Sequence, residues 1–255
     1  MDSINKLDKR FDLLLGATIP IYTREKGAPI PAASSILIKY RDSLILVSCS
    51  HVFRENKLYF VPSFDSEYYI KKESLLHLSD SNIEPGSEKD TFDTSILPIP
   101  QGDEFAFNEY RFLTLNDIYL LDKLVKSEYL IFGYPINSNE VDRKNKEAEA
   151  EALIYHIKSH DRKNIYSLAG LNKTYNIALK YNNREIRNNS SMAFVPKPFG
   201  ISGSGLWIPI IDKGNIRYKL FGINVGGDLS YSLAYSTYFF DVIERIKKMK
   251  MTNCF

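Results

Sequence analysis

Short apolar runs recur along the whole chain, and they constrain its fold more than any other feature of the sequence. Most are five to eight residues long, rich in β-branched or aromatic residues, and bounded by Gly, Pro, Asn or Asp, which is the pattern of β-strands. The runs are SSILIKY, SLILVSCS, KLYFVPSF, TSILPIP, EYLIFGYP, YNIALKY, GLWIPII, YKLFGINV and STYFF. Regular helical patterns do not separate them, so the sequence disfavours a doubly wound α/β sheet and predicts an all-β protein of barrels or a sandwich.

Three segments depart from the strand pattern. Residues 101–128 interrupt it near the middle and predict a connection between two halves, 12–100 and 128–240. Residues 143–156 are rich in Ala, Glu and Lys, which leaves a surface helix and a charged excursion between strands both open. Residues 240–251 place apolar side chains at helical spacing before a lysine-rich end, so we expect a C-terminal helix that packs on the body.

Composition excludes several classes of function. A chain of 255 residues with 44% hydrophobic side chains can build a large core without disulfides or metal. Its 33 basic and 31 acidic side chains are interspersed and give a net charge of +2, so we expect no nucleic-acid partner. No apolar stretch approaches the length of a membrane span, so we expect no membrane partner either.

The cysteines and the N-terminal residues predict the compartment. Cys49 and Cys254 do not form the pattern of a disulfide framework, which favours a reducing environment. The N-terminal apolar stretch, 13–17, is too short for a signal peptide. We therefore expect a cytoplasmic protein.

Three local patterns carry candidate chemistry, in a fixed order along the chain. His51 directly follows an apolar strand in LILVSCSHVF, Asp93 precedes another in KDTFDTSILPIP, and Ser202 lies in the glycine-rich turn of PFGISGSGLW. A serine nucleophile needs an imidazole base, a carboxylate that orients the base, and backbone amides for the oxyanion. His51, Asp93 and Ser202 can supply the first three, and the amides of Gly200 and Ser202 the fourth.

Chain order distinguishes between hydrolase classes. The order His, Asp, Ser is that of the chymotrypsin-like barrels, whereas α/β-hydrolases have the order Ser, acid, His. The G-x-S-x-G elbow of α/β-hydrolases also fails at Ser202, because the fifth residue of GISGS is Ser204.

Rival assignments exist for each position. Asp90 competes with Asp93, but the apolar strand starts directly after Asp93, which favours the latter. Ser204 competes with Ser202, and Cys49 could pair with His51 as a thiol nucleophile, although a small core residue is the simpler interpretation. The remaining histidines, His77, His156 and His160, lack such surroundings and are predicted to be surface or packing residues. No His/Cys pair has zinc spacing, so we expect no metal.

Together these blocks resemble the signature motifs of the trypsin-like, chymotrypsin-fold serine proteases. SCSHVF (48–53) is similar to the family's histidine block, DTSILPI (93–99) to its aspartate block, and GISGSGLW (200–207) to its G-x-S-G-[GS] block. IFGYP (131–135) is similar to a strand and turn of bacterial members, and LFGINVGG (220–227) to the substrate-binding strand.

This resemblance implies the fold and the site. The expected fold is two antiparallel six-stranded β-barrels with a short C-terminal helix. Residues 1–127 would form the first barrel, with His51, Asp93 and the inter-barrel connection. Residues 128–255 would form the second barrel, with Ser202.

The resemblance also implies how a substrate binds. The nucleophile is Ser202, and the oxyanion amides are those of Gly200 and Ser202. Val225, Gly226 and Gly227 would form the substrate-binding strand, and glycines there leave room for a bound peptide backbone. The substrate is then a protein or peptide, and no cofactor is needed.

One departure bears on regulation. The family commonly has an Asp before the nucleophile, which in trypsin pairs with the freed N-terminal amine on activation, whereas this chain has Ile201 there. We therefore predict a serine endopeptidase acting through an acyl-enzyme, as an intracellular regulated or effector protease that an activating protein partner switches on. The alternative is a catalytically idle protease-fold module used for binding or scaffolding.

Overall fold

The structure is a computed structural model that describes residues 11–63, 66–120, 128–136, 140–142, 147–149, 151–181, 184–187, 191–194 and 200–250. The elements of the first half are α1 (Asp12–Ala17), β1 (Thr18–Glu25), β2 (Ala28–Tyr40), β3 (Ser43–Cys49), β4 (Tyr59–Pro62), β5 (Glu67–Ile70), β6 (Leu76–His77) and β7 (Thr94–Ile99). Those of the second half are β8 (Glu128–Gly133), β9 (Glu140–Asp142), β10 (Glu147–Glu149), β11 (Leu153–Ser159), α2 (Ile165–Leu168), β12 (Asn176–Lys180), β13 (Arg184–Arg187), β14 (Ser191–Phe194), β15 (Gly205–Asp212), β16 (Asn215–Asp228), β17 (Leu233–Tyr238) and α3 (Phe239–Lys250).

The strands of the first half form one antiparallel sheet in the order β5-β4-β1-β2-β3-β7-β6. Its two edge strands follow one another in the chain, and a single turn, Lys72–Ser74, lies between them. Ile70 at the end of β5 and Leu75 before β6 pack in the same apolar cluster as Leu97 of β7. The sheet is therefore curved around one core.

This half differs in detail from the predicted six-stranded barrel, because the structure has a seven-stranded half-barrel. The difference arises at β6, which is only two residues long and pairs with β7 but with no other described strand. Because β6 is so short, no strand hydrogen bonds join it to β5, and the two edges of the described sheet stay unpaired.

The second half contains the closed six-stranded barrel that the sequence predicts, in the order β11-β12-β17-β16-β15-β8. Its interior is filled by aromatic and aliphatic side chains, among them Tyr129, Phe221 and Ile201, all at most 1% exposed. Two small hairpins, β9 with β10 and β13 with β14, lie between β8 and β15 in the chain and belong to neither large sheet. The segment 143–156 is extended where it is described, in β10 and β11, which excludes the surface helix there; residues 143–146 and 150 lie outside the described residues.

The two halves share a further core, to which the C-terminal helix contributes. Val47 of β3, Trp207 of β15 and Phe239, Val242 and Ile246 of α3 belong to one buried cluster. The prediction of a C-terminal helix packed on the body is confirmed. None of the helices in the described residues is long and apolar enough to cross a membrane.

The connection between the halves is hydrogen-bonded to both. Lys39 of β2 donates to the carbonyl of Leu113 at 2.7 Å, and Tyr119 donates to the carbonyl of Leu220 at 2.8 Å. The described connection, residues 100–120, thus lies across the two sheets. The boundary at 127/128 stays a prediction, and residues 121–127 lie outside the described residues.

Candidate active site

His51 lies where a buried strand stops. β3 is buried at its last five positions and ends at Cys49, and His51 opens a one-turn 3-10 helix, His51–Phe53. The side chain of His51 is 37% exposed. The apolar strand therefore anchors the backbone, while the change to a turn lets the imidazole reach the surface.

Asp93 lies in a tight turn directly before β7. Its φ is +41°, in the left-handed region that residues other than glycine seldom adopt. Its carbonyl accepts from the amide of Ser50 at 3.1 Å. The first half thus ties the acid-bearing turn to the residue that precedes His51, and the strained backbone aims the carboxylate.

The rival acid, Asp90, supports this turn. Its carboxylate accepts from the amide of Asp93 at 2.9 Å, from the amide of Gly86 at 2.8 Å and from the hydroxyl of Ser79. Gly86 has φ +69°, and a Cβ built there would lie 2.5 Å from the amide nitrogen of His51. Asp90 and Gly86 therefore hold a loop in direct contact with His51, a function that the sequence analysis missed.

Ser202 lies in a turn that only glycine can build. Gly200 and Gly203 have φ values of +86° and +80°, and a Cβ on Gly203 would lie 2.1 Å from the carbonyl oxygen of Ser34. The turn is held by a bond from the Ser34 amide to the Ser202 carbonyl at 2.9 Å and by one from the Gly203 amide to the Asn224 carbonyl at 2.8 Å. Both halves of the chain thus fix the nucleophile candidate.

The structure brings the three predicted side chains together. His51 Nε2 lies 3.0 Å from Ser202 Oγ, and His51 Nδ1 is hydrogen-bonded to Asp93 Oδ2. The amide of His51 also donates to Asp93 Oδ1 at 2.9 Å. The serine hydroxyl, the imidazole and the carboxylate therefore form one continuous hydrogen-bonded run.

The carboxylate in this hydrogen-bonded run, that of Asp93, is buried. Asp93 is 5% exposed, and desolvation raises its pKa above the usual value, while the hydrogen bonds and charge of His51 act in the opposite direction. A buried acceptor beside Nδ1 favours the tautomer in which Nδ1 carries the proton and Nε2 is free to accept. That is the form a base needs in order to take a proton from Ser202.

The backbone around Ser202 offers donors to an anion. Within the described part of the chain, the amides of Gly200 and Ser202 donate to no protein acceptor. Residues 195–199, which precede this turn, lie outside the described residues.

A cleft of about 800 Å³ contains the three side chains. Its walls come from both halves, with Thr23 and Ala32 on one side and Asn224 on the other. Val225, Gly226 and Gly227, the predicted substrate-binding strand, also line it. The pairing of β16 with β15 ends at Ile223, so among the described strands Gly226 and Gly227 pair only with β17 and leave one backbone edge to the cleft.

Both rival nucleophiles are buried. Ser204 is fully buried. Cys49 is also fully buried, its thiol donates to the carbonyl of Asn224 at 3.1 Å, and burial raises its pKa well above the usual value. A protonated, enclosed thiol is a poor nucleophile.

The same thiol bears on metal binding. The donor atoms of Cys49, His51 and Asp93 lie within 4.8 Å of one another. A metal needs a thiolate from cysteine, whereas this thiol is kept protonated, and Nδ1 of His51 is already bonded to Asp93. The arrangement therefore suits proton transfer better than metal binding.

The other histidines have local partners. His77 Nδ1 bonds the hydroxyl of Ser95 at 2.6 Å, and burial lowers the pKa of His77. His160 Nε2 lies 3.2 Å from the carbonyl of Tyr231, and His156 is exposed on β11. None of the three shares a hydrogen bond with His51, Asp93 or Ser202 in the described part of the chain.

The second half also holds the turn that carries Asp93, which the sequence did not reveal. Thr237 Oγ1 donates to the carbonyl of Phe92 at 2.8 Å, and Asn176 Nδ2 donates to the carbonyl of Thr91 at 2.7 Å. The guanidinium of Arg245 lies 3.7 Å from the centre of the Phe92 ring. The first half of the chain therefore contributes Asp93, and the second half holds its turn in place.

Comparison with known proteins rests on structure. No protein-family model matches the sequence, and no curated protein matches it either. The structure is similar to that of mouse neuropsin, a serine protease expressed in the limbic system of the brain, with a TM-score of 0.57 and 12% identity over 92% of this chain and 94% of that one. It is also similar to the inactive form of the Rv3671c protease of M. tuberculosis, with a TM-score of 0.52 and 12% identity over 97% of this chain and 95% of that one. The chain therefore has the chymotrypsin-like fold, one closed barrel and one half-barrel, that serine proteases of the trypsin type use.

Proposed function

We propose that the protein is a serine endopeptidase with Ser202 as nucleophile, His51 as base and Asp93 as the orienting acid. The observation that carries this proposal is the hydrogen-bonded run from Asp93 through His51 to Ser202, open to a cleft between the two halves. This arrangement supports proton transfer from the serine hydroxyl to the imidazole at the moment of attack.

The proposed reaction has two steps, acylation of Ser202 and hydrolysis of the acyl-enzyme. Ser202 Oγ attacks the carbonyl carbon of the scissile peptide while Nε2 of His51 takes the hydroxyl proton. Collapse of the tetrahedral intermediate breaks the C–N bond, and His51 gives the proton to the leaving amine. Water then attacks the acyl-enzyme by the same route, which releases the new carboxyl end and restores Ser202. Asp93 stays ionised and stabilises the transient imidazolium.

Backbone groups complete the proposed site. The amides of Gly200 and Ser202 would stabilise the oxyanion, a contribution typically worth about 3 kcal/mol for one donor. The open edge of β16 at Gly226 and Gly227 supports binding of an extended peptide by backbone pairing. Both features favour a protein or peptide substrate.

A fluorophosphonate probe tests the proposal, because it reacts only with an activated serine. The purified chain should be labelled on Ser202, and both Ser202→Ala and His51→Ala should lose the label. Ser204→Ala is the matched control, since it removes a neighbouring but buried hydroxyl, and it should keep the label. A folded wild-type chain that takes no label, with a biological effect that survives Ser202→Ala, would support the idle binding module instead.

We also propose that a partner protein regulates the enzyme inside the cytoplasm. Ile201 occupies the position before Ser202 and is 1% exposed in the core of the second barrel, so a charge pair at this position is not available for activation. The cysteines favour a reducing compartment. Cleavage of a protein substrate that is weak with the chain alone and rises when a partner is co-expressed would support this regulation, and full activity of the purified chain alone would contradict it.

A further inference from the structure

The wall of the cleft beside the nucleophile turn carries an exposed isoleucine. Ile136 lines the cleft that contains Ser202, and it is 36% exposed. A Cβ built on Gly200 would lie 2.4 Å from Cγ1 of Ile136 and 2.5 Å from its amide nitrogen. Ile136 therefore packs directly against the residue whose amide is a proposed oxyanion donor, and part of the residue stays open to solvent.

Three apolar side chains of the first half extend this wall. Ile30, Ala32 and Val52 line the same cleft, and each is partly exposed. Val52 directly follows His51 in the one-turn 3-10 helix. Ala32 has no partner on β1 because the register shifts at this point, and such bulges redirect side chains next to active sites. We call these three residues and Ile136 the apolar wall, and exposed apolar surface of this kind marks a ligand-binding groove.

Two hydrogen bonds fix the apolar wall beside the nucleophile. The amide of Ser34 donates to the carbonyl of Ser202 at 2.9 Å, and the hydroxyl of Ser34 accepts from the amide of Tyr134 at 2.8 Å. Ala32 lies two residues before Ser34, and Ile136 lies two residues after Tyr134. One contact at the nucleophile turn therefore anchors the parts of the wall that the two halves contribute.

The open edge of β16 lies on another side of the site, towards Asp93. A Cβ built on Gly226 would lie 2.6 Å from the hydroxyl oxygen of Tyr235. Burial raises the pKa of Tyr235 to about 12, and the nearby charge of Asp93 adds to this effect. Asp93 bonds Nδ1 of His51, whereas Ser202 lies at Nε2. A peptide that pairs with Gly226 on its acyl side must therefore continue past Ser202 along the apolar wall.

The cationic side chains of the cleft offer no free partner to an acidic residue. Among the described lining residues, each lysine and arginine is paired with a carboxylate of the first half. The pairs are Arg24 with Glu67, Lys57 with Glu55, and Arg54 with Glu84 at 3.7 Å. Contact between an apolar side chain and the apolar wall removes both surfaces from water, which is favourable in proportion to their area, whereas a polar side chain there loses water without a partner.

We infer that the apolar wall is a subsite that selects substrates with an apolar side chain in the first two residues after the scissile bond. The inference rests on the proposed function, since it describes the substrate of the same site. Ile30, Ala32, Val52 and Ile136 are then specificity-determining residues for the leaving group.

Peptides that correspond to the leaving group test the subsite without any catalysis. The Ser202→Ala chain is titrated with tetrapeptide amides that have a free amino end and differ only in the first or the second residue, which is Leu, Asn, Asp or Lys. At one of these positions, Leu should bind about 5- to 10-fold more tightly than Asn, which has nearly the same shape, and than the two charged residues. Equal binding of all four at both positions, or tightest binding of a polar residue at both, would overturn the inference.

Charge placed on the apolar wall should change the preference. In the same background, Ile136→Lys should favour Asp over Leu, because the new ammonium group supplies a partner for the carboxylate. Ile211→Lys is the matched control, since Ile211 is 78% exposed and does not line the cleft, and it should keep the preference for Leu.

A second variant keeps the test valid if Ile136→Lys fails to fold. Val52→Thr retains nearly the same shape but adds a hydroxyl, and it should lower the ratio of Leu to Asn affinity about threefold. A preference that no folded variant of the wall changes, or that Ile211→Lys changes as much, would contradict the assignment.

Acyl transfer in the wild-type chain separates this inference from the proposed function. When the same peptides are added to an acyl-enzyme made with an activated ester, the peptide nitrogen attacks the acyl carbonyl, the bond to Ser202 Oγ breaks, and His51 carries the amine proton to Oγ. The Leu peptide should intercept the acyl group in preference to the others. Transfer to all four peptides equally would leave the function intact and overturn only the subsite. A chain that the ester never acylates, but whose Ser202→Ala variant prefers Leu, has the subsite without the chemistry.

Discussion

The C-terminal helix is fastened to the turn that carries Asp93, so a change at Arg245 should affect the catalytic site. Arg245 lies over the ring of Phe92 at 3.7 Å. It also donates to the carbonyl of Leu78 and pairs with Asp80 at 2.7 Å. One guanidinium thus joins the segment that contains Leu78 and Asp80 to the turn that carries Asp93.

The cost of Arg245→Ala follows from these contacts. Stacking of the guanidinium on an aromatic ring contributes about 1 kcal/mol at a partly exposed site. Loss of the donor to the Leu78 carbonyl costs about 1 kcal/mol. The pair with Asp80 adds about 0.5 kcal/mol, because Asp80 is 48% exposed. We expect a loss of about 2.5 kcal/mol, which corresponds to a fall in Tm of about 5–10 °C for a chain of this size.

We expect Arg245→Ala to lower kcat for a reason other than the loss of stability. Asp93 has a strained φ of +41° that its surroundings must maintain. With the adjacent Phe92 released, the carboxylate should orient His51 less well, and kcat should fall about tenfold with little change in KM. Arg245→Lys should recover part of the loss, since it keeps the charge but not the planar stack. Arg245 is in this account a positioning residue.

Thermal unfolding and steady-state kinetics on a peptide substrate, below the Tm of every variant, measure both effects. Arg217→Ala is the matched control, because Arg217 pairs with Asp212 at 3.2 Å on an exposed hairpin and is itself 72% exposed. The control should change Tm by no more than about 2 °C and leave kcat unchanged. If Arg245→Ala loses stability while kcat stays at the wild-type value, the helix does not position the acid and the reasoning is refuted.

Three further changes test other parts of the account. Asp93→Asn should lower kcat by about four orders of magnitude while keeping stability at neutral pH, because burial raises the pKa of Asp93 and so favours its neutral form in the folded chain. The stability that the protonated carboxyl contributes is present at acid pH and is lost as pH rises through the folded-state pKa. In urea unfolding, the free energy of unfolding of the wild type should therefore fall relative to that of Asp93→Asn from acid to neutral pH. Parallel pH curves for the two chains would contradict this. Asp90→Ala leaves the amides of Gly86 and Asp93 without their acceptor and should cost about 3 kcal/mol with reduced kcat; an unchanged urea midpoint would be the contrary result. Iodoacetamide should not alkylate Cys49 in the native chain, because burial raises its pKa, and peptide mapping that finds rapid alkylation there would show the thiol to be accessible.

Much of the fold could be predicted from local sequence, because strand periodicity and chain breakers are local properties. The runs around Val47, Leu130 and Phe221 became strands, and the periodic tail became α3. The seven-stranded half-barrel could not be predicted in this way. Closure of the first sheet depends on whether two-residue β6 pairs with β5, and a segment that short carries no periodic signal.

The candidate site could also be predicted only in part from local sequence. His51, Asp93 and Ser202 each stand at the end of an apolar run or in a glycine turn, so short motifs and their order were enough to select them. The supports of the site come from residues distant in sequence, such as Thr237 on the carbonyl of Phe92, and no local pattern marks such a contact. Asp90 was recognised only as a rival acid, because its three hydrogen bonds exist only once the loop is folded.

The covalent intermediate on Ser202 gives the most direct test of the central claim. The purified chain is mixed with an activated ester, quenched in acid at short times, and examined by intact mass and peptide mapping. We predict that the wild-type chain gains one acyl group on Ser202, that the group is then hydrolysed, and that Ser202→Ala gains none. An acyl group on Ser204 or Cys49, or peptide cleavage by Ser202→Ala at the wild-type rate, would contradict the account.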